Sequence, residues 1–187
     1  MTELFDKVME HVFGEEGGWS DHPDDTGGKT MLGITLKTLK TARPDQNVTA
    51  ETLRNLTVAD AKEVYREHYW TPVKALGLPS GLSTMMFDFC VNAGFPRSVK
   101  TLQKSIGTKA DGAFGPKSKA ALQNKIDTVG EIEVLNEYAY QRASFYYRLW
   151  NFFRFGKGWT RRVMKTLSFA TQVALQTANS GSNVSET

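Results

Sequence analysis

Leu4, Phe5, Val8, Met9, Val12 and Phe13 recur three and four positions apart, which predicts an amphipathic helix over residues 3–15. Gly17 and Gly18 follow, as glycines do past a helix terminus. Thr35 to Ala42 reads as a short helix, and residues 47–56 as another that starts at Thr49. Thr57 caps a clearer helix with Val58, Ala61, Val64 and Tyr65 along one side. It runs to about Trp70, where Pro72 is expected to stop it. After the turn Gly77-Leu78-Pro79-Ser80-Gly81, the segment Leu82 to Ala93 is apolar on most faces, so it is expected to be a central buried helix. Residues 94–106 give one further helix. Asp111-Gly112 marks a tight turn, and Pro116 suits the first position of the next helix. The longest pattern runs from Glu131 to Phe153, with Leu135, Tyr138, Ala139, Arg142, Phe145 and Tyr146 near a 3.6 period. Residues 155–159 read as a turn, Thr160 to Ala178 as a closing helix, and residues 179–187 as a polar tail. Only Thr30 to Thr35 suggests a strand edge. The pattern predicts a mainly α protein with little or no sheet and no internal repeat.

Composition narrows the class. The 187 residues suffice for one domain or two small lobes, and 40% hydrophobic with 23% charged residues is ordinary for a globular chain. A single cysteine, Cys90, excludes an internal disulfide, and its apolar surroundings point to a small core residue. No signal peptide is visible, and the uncharged stretch 166–185 is too rich in Ser, Thr, Gln and Asn to span a bilayer. His11, His22 and His68 lack zinc-motif spacing, so no metal or other cofactor is implied. The net charge of +3 hides an asymmetry: residues 138–185 hold seven Lys or Arg and no acid, and the rest sums to −4. Such a segment is either a solvated helix face or an attraction toward an anionic wall or nucleic acid.

Candidate chemistry concentrates between Gly14 and Thr35. Glu15 and Glu16 fall where the first helix ends, and the negative end of the macrodipole there raises a carboxyl pKa. Burial beside Trp19 would raise it further, as a general acid near neutral pH requires. His22, Asp24 and Asp25 crowd the following loop, with Thr30 beyond. Glu16 and Asp25 lie nine positions apart, and Thr30 five further on. A loop of that length lets a second carboxylate face the first, the pairing that glycosidic hydrolysis uses. Composition alone also fits a solvated helix end followed by turn-forming aspartates.

Two further groups have two readings each. Asp88 and Asn92 fall four apart on one face of the apolar helix, so they either anchor the helix in a polar network or line a sugar cleft. Tyr147, Trp150, Phe152, Phe153, Phe155 and Trp159 exceed what one helix face can hide, and some of them could stack on sugar rings.

The string Glu-Gly-Gly-Trp at 16–19, then Pro23, Asp25, Gly27-Gly28, Thr30 and Gly33-Ile34-Thr35, resembles the signature of the glycosyl hydrolase 108 family, phage and bacterial N-acetylmuramidases. The resemblance continues through residues 87–94, Leu102-Gln103, Asp111-Gly112, and Gly158-Trp159 with Arg161 or Arg162. It implies a lysozyme-like helical bundle of two lobes around a buried central helix. Residues 1–93 would form a catalytic lobe, 94–178 a peptidoglycan-binding lobe carrying the Leu-Gln, Asp-Gly and Phe-Gly motif, and 179–187 a tail. It puts the family's catalytic glutamate on Glu16. Asp25 is then the candidate for the opposing charge and Thr30 for positioning water, with Trp19, His22, Asp88, Asn92, Tyr147 and Trp159 as candidates for substrate contact. A second register, Glu15, Asp24 and Thr30, is similar to the Glu-Asp-Thr pattern of other phage lysozymes; the Gly-Gly-aromatic context favours Glu16. The chain departs from the family at Trp19, where Tyr is usual, at Thr26, and at Met31-Leu32, which replace Asn-Tyr and remove polar groups.

The activity implied is hydrolysis of the β-1,4 bond between N-acetylmuramic acid and N-acetylglucosamine by an endolysin-type monomer. It would be made in a host cytoplasm and reach the wall through a separately made, holin-like pore. The expected partner is the peptidoglycan glycan strand, with no nucleic acid and no membrane span. Rival readings are a lytic transglycosylase and a wall-binding or secretion-accessory protein without turnover.

Overall fold

The computed structural model describes residues 2–15 and 30–182, and is mainly α. Packing divides the chain into two compact units, Met1–Pro72 and Val73–Thr187.

In the first unit, α1 (Thr2–Glu15) buries Phe5, Val8, Met9 and Val12 completely, the face that its apolar spacing marks out. The Phe5 ring lies 5.7 Å from Trp70 and carries the Arg66 guanidinium 4.1 Å above it. Strands β1 (Thr30–Met31) and β2 (Ile34–Thr35) pair antiparallel, Thr30 opposite Thr35. This is the strand edge expected from the sequence. Three short helices follow, α2 (Leu36–Ala42), α3 (Ala50–Arg54) and α4 (Val58–Tyr65), each capped by the threonine before it: Thr35, Thr49 and Thr57. At α4 the cap is reciprocal, since Asp60 accepts from the Thr57 backbone and hydroxyl. The Thr57 hydroxyl, and after it Arg43 at 2.7 Å, hold the Asp60 carboxyl down to about 2.

Pro72 does not end this helical run. Residues Arg66–Trp70 form a π-helical turn in which the Thr71 amide donates to the Arg66 carbonyl, and α5 (Thr71–Lys74) continues beyond it. The wider turn shifts the hydrogen-bond register, and Pro72 falls in the first turn of α5, where a missing N–H is tolerated.

The second unit is built on α6 (Ser80–Ala93), against which α7 (Phe95–Ser105), α9 (Glu131–Tyr147) and α10 (Phe152–Ser182) pack. Every residue of α6 from Gly81 to Cys90 is buried, as its all-round apolar pattern predicts. Burial pushes the Cys90 thiol up to about 12, which leaves it without thiolate character at neutral pH. Native protein at pH 8 should therefore give no reaction with a thiol reagent until denaturant is added; rapid labelling without denaturant would contradict this burial.

The start of α6 is held by another helix. Glu131, the first residue of α9, accepts from the Leu82 amide at 3.0 Å, so one carboxylate serves the amide ends of two helices. Gly81 is required beside it, because a Cβ there would stand 2.7 Å from the Ala170 carbonyl oxygen of α10. Glu131→Ala should cost about 1 kcal/mol of stability. Gly81→Ala should cost more, about 1–3 kcal/mol, because backbone rather than a side-chain tip must move. Denaturant unfolding of both variants would check the order.

The C-terminal elements differ from the sequence pattern in three respects, one of them that residues 179–182, expected in the polar tail, are helical. Helix α9 stops at Tyr147 rather than Phe153, and residues 155–159, expected to be a turn, lie inside α10, which runs to Ser182. Glycine in a helix costs only about 1 kcal/mol, an amount tertiary packing overrides. At Gly156 packing has use for it, since a Cβ would meet the Phe152 ring at 2.7 Å. Helix α8 (Pro116–Val129) begins at its proline as expected.

Candidate functional site

Glu16, Trp19, His22 and Asp25 lie outside the described residues, as do Asp24 and the rest of 16–29. The elements on either side are described. Helix α1 ends at Glu15, immediately before Glu16 in the chain, and β1 opens with Thr30. Between β1 and β2 the chain turns through Leu32 and Gly33, both at positive φ, 52° and 75°. Two consecutive positive φ values make the tight hairpin whose twist suits antiparallel strands. A leucine there is strained, by about 1–2 kcal/mol. The Tyr65 hydroxyl donates to the Leu32 carbonyl at 3.0 Å and helps to hold the turn. Thr30, half-buried, is thus presented by a hairpin tied to α4.

Asp88 is fully buried in α6. Arg142 of α9 reaches one carboxylate oxygen at 2.6 Å, and Arg162 of α10 reaches the other at 2.7 Å and also donates from Nε. Thr166 adds a hydroxyl at 3.3 Å. Burial alone would raise the Asp88 pKa; the two guanidinium groups outweigh it and hold the carboxyl well below its ordinary range. Of the two readings that the sequence leaves open for Asp88, the geometry realises the helix-anchoring network, and both carboxylate oxygens are taken. The same network corrects the view of the basic C-terminal segment, because Arg142 and Arg162 are buried against Asp88 rather than part of an exposed cationic face. Asn92, one turn on, is exposed; its amide donates to the Asp88 carbonyl at 2.8 Å.

The aromatic candidates do come together. Trp159 stacks on Tyr146 at 5.1 Å and 26°, and its ring lies 6.4 Å from Phe152. Phe152 in turn meets Tyr147 edge-on at 5.3 Å. Tyr147, Trp150 and Phe153 remain 74%, 80% and 84% exposed. The result is a run of rings from the half-buried Trp159 to the solvent-facing Tyr147, a shape on which a sugar face can lie.

Gln103 explains the Leu-Gln and Asp-Gly pair. Its buried amide donates to Asp111 Oδ1 at 2.8 Å and to the Ala113 carbonyl at 3.1 Å. Its carbonyl accepts from the Gly112 amide at 2.8 Å. One glutamine thus shapes the loop before α8, where Gly112 takes φ 90°. The loop borders an open concavity of about 740 Å³.

A second hollow lies between α7 and α9. It measures about 110 Å³ and is lined by Arg97, Lys100, Lys104 and Arg148 with Gln141, Ser144 and Phe145. Sequence reading passed over the α7 cations, although Arg97, Lys100 and Lys104 stand three and four residues apart, the spacing of one helix face. Among the described residues no three His, Cys, Asp or Glu gather as for a metal, and no helix is long and apolar enough to cross a membrane.

Residues 9–94 match the glycosyl hydrolase 108 family, and residues 97–164 match a family described as "Predicted Peptidoglycan domain". The chain is similar to the solved structure of Brucella abortus SagA. The identity is 38% over 93% of this chain and 97% of that one, with a TM-score of 0.83. The sequence matches no curated protein.

Proposed function

The chain belongs to the glycosyl hydrolase 108 family, and on that premise we propose that it is an N-acetylmuramidase, which hydrolyses the β-1,4 bond between N-acetylmuramic acid and N-acetylglucosamine. The observation that carries this reading is the succession in one chain of a glycosyl hydrolase match and a peptidoglycan-domain match. A glycosidase joined to a wall-binding unit is suited to an insoluble glycan, since retention near the polymer raises the local substrate concentration.

In the proposed mechanism Glu16, kept protonated, gives its proton to the glycosidic oxygen as the bond to the anomeric carbon breaks. Asp25 supplies negative charge toward the oxocarbenium-like transition state, and Thr30 orients the water that completes hydrolysis. Trp19, His22 and Asn92 are proposed to contact the sugars, and the rings from Tyr147 to Trp159 to form a stacking surface. Asp88 acts through α6, holding that helix rather than touching the glycan. We read residues 1–93 as the catalytic lobe and 94–178 as the wall-binding lobe. On this division α6 belongs to the catalytic sequence while packing within the second compact unit. The further reading, an endolysin acting as a monomer after release through a holin-like pore, rests on the family resemblance.

Turbidity of a suspension of purified sacculi tests the reading. Wild type should clear it, Asp25→Asn should be markedly slower, and Glu16→Gln should leave it unchanged. Tight sedimentation with sacculi and no clearing by wild type would instead mark a wall-binding protein without turnover.

A further inference from the structure

The hollow between α7 and α9 has a composition that the glycosidase reading does not use. Arg97, Lys100 and Lys104 approach it from one helix, and Arg148 from just past the end of the other. None of the four has an ion-pair partner among the described residues. No carboxylate lines the hollow. Glu137, one turn before Gln141 on α9, accepts from the Gln141 amide at 2.9 Å. Four like charges around a small space repel one another, and an anion relieves that repulsion.

Arg97 is also held in position. Its guanidinium lies over the Phe145 ring, 4.8 Å from the centroid. A guanidinium in contact with the ring can meet a planar carboxylate in two parallel hydrogen bonds. Ser144 and Gln141 add neutral hydrogen-bonding groups, and Phe145 gives an apolar wall. The volume, about 110 Å³, is that of about three or four waters. That suits a carboxylate with a short aliphatic stem.

We propose that this hollow is a subsite for the free carboxylates of peptidoglycan stem peptides, engaged by Arg97 and Arg148 with Lys100 and Lys104 completing the charge. The proposal rests on the wall-binding reading and adds the peptide, rather than the glycan alone, as something the chain recognises. In a wall polymer the carboxylates recur along the strand beside each bond to be cut, so a peptide subsite biases binding toward peptide-substituted glycan.

The test is co-sedimentation of the full chain on ice with two materials: intact sacculi, and sacculi whose peptide carboxylates have been converted to neutral amides with carbodiimide and ammonia. Wild type should bind the intact material about tenfold more tightly. The double variant Arg97→Ala/Arg148→Ala should lose that preference and bind both alike. A matched double variant at exposed cations of α10, Lys157→Ala/Arg161→Ala, should keep it within about twofold, which separates a specific subsite from general attraction. Thermal melts of all three proteins guard against misfolding, and Arg97→Lys/Arg148→Lys, which keeps charge but not the fork, should show an intermediate preference. Equal binding of wild type to both materials, with clearing of sacculi retained, would overturn the subsite and leave the muramidase reading standing. Equal losses in the two alanine doubles would overturn it too. Preference for amidated sacculi that carry wall phosphate would assign the hollow to phosphate and contradict the proposal. Failure of wild type to bind either material would sink the wall-binding reading with it.

Discussion

Asp88→Ala is expected to destabilise the second unit by about 3–5 kcal/mol, a large share of the stability of an ordinary domain. The reason is what remains behind. Arg142 is fully buried, its Nη1 already lacks a hydrogen-bond partner, and its Nε and Nη2 reach Tyr146 only at 3.4 and 3.3 Å. With Asp88 gone, two guanidinium charges would face each other in a place water does not reach. Asp88→Asn keeps the shape but not the charge and should cost nearly as much, which separates electrostatics from lost packing. The pH dependence follows from the lowered pKa. A carboxyl depressed in the folded state contributes stability that is complete above its unfolded value, near 3.8, and is lost as pH falls toward the folded one. The deficit of Asp88→Asn relative to wild type should thus be constant from pH 8 to about pH 5 and shrink below about pH 4. Urea unfolding across that range measures it. A cost under 1 kcal/mol at pH 7 would mean that the network is not formed as described.

Glu16→Gln should lower hydrolysis of purified peptidoglycan by about 10²–10⁴-fold, while thermal stability stays within about 0.5 kcal/mol of wild type. An amide has the shape of the acid and no proton to give the leaving oxygen, so the effect should fall on turnover and spare binding to sacculi. Glu15→Gln beside it distinguishes the two registers of the motif. If Glu15→Gln abolishes turnover and Glu16→Gln does not, the catalytic pattern is Glu15, Asp24 and Thr30, and the assignment made from the Gly-Gly-aromatic context is wrong.

What the sequence made legible tracks what each residue needed from its surroundings. Periodicity was enough for α1 and α6, because a helix that buries one face or all faces records the fact in its apolar spacing. The helix starts at Thr35, Thr49 and Thr57 were readable because capping is a contact within four residues, although only Thr57 was read as a cap. Legibility failed where a residue's own signal is overruled by its neighbours or is decided by partners far along the chain. Pro72 and Gly156 carry local signals for termination, and a π-turn in one case and a tightly placed Phe152 ring in the other override them. Asp88 shows the same limit at the level of function. Its place on an apolar helix announced a buried polar group, but its partners lie 54 and 74 residues away, so spacing could not choose between anchor and ligand. The α7 cations stood at helical spacing throughout; only the packing of α9 against that face turns them into the wall of a hollow.

The central claim is chemical, and mass spectrometry of the fragments released from purified peptidoglycan tests it most directly. Wild type should give fragments that end in reducing N-acetylmuramic acid, and Glu16→Gln should give none. Fragments ending in anhydromuramic acid would mean a transglycosylase, and intact glycan after prolonged incubation with wild type would contradict enzymatic cleavage altogether.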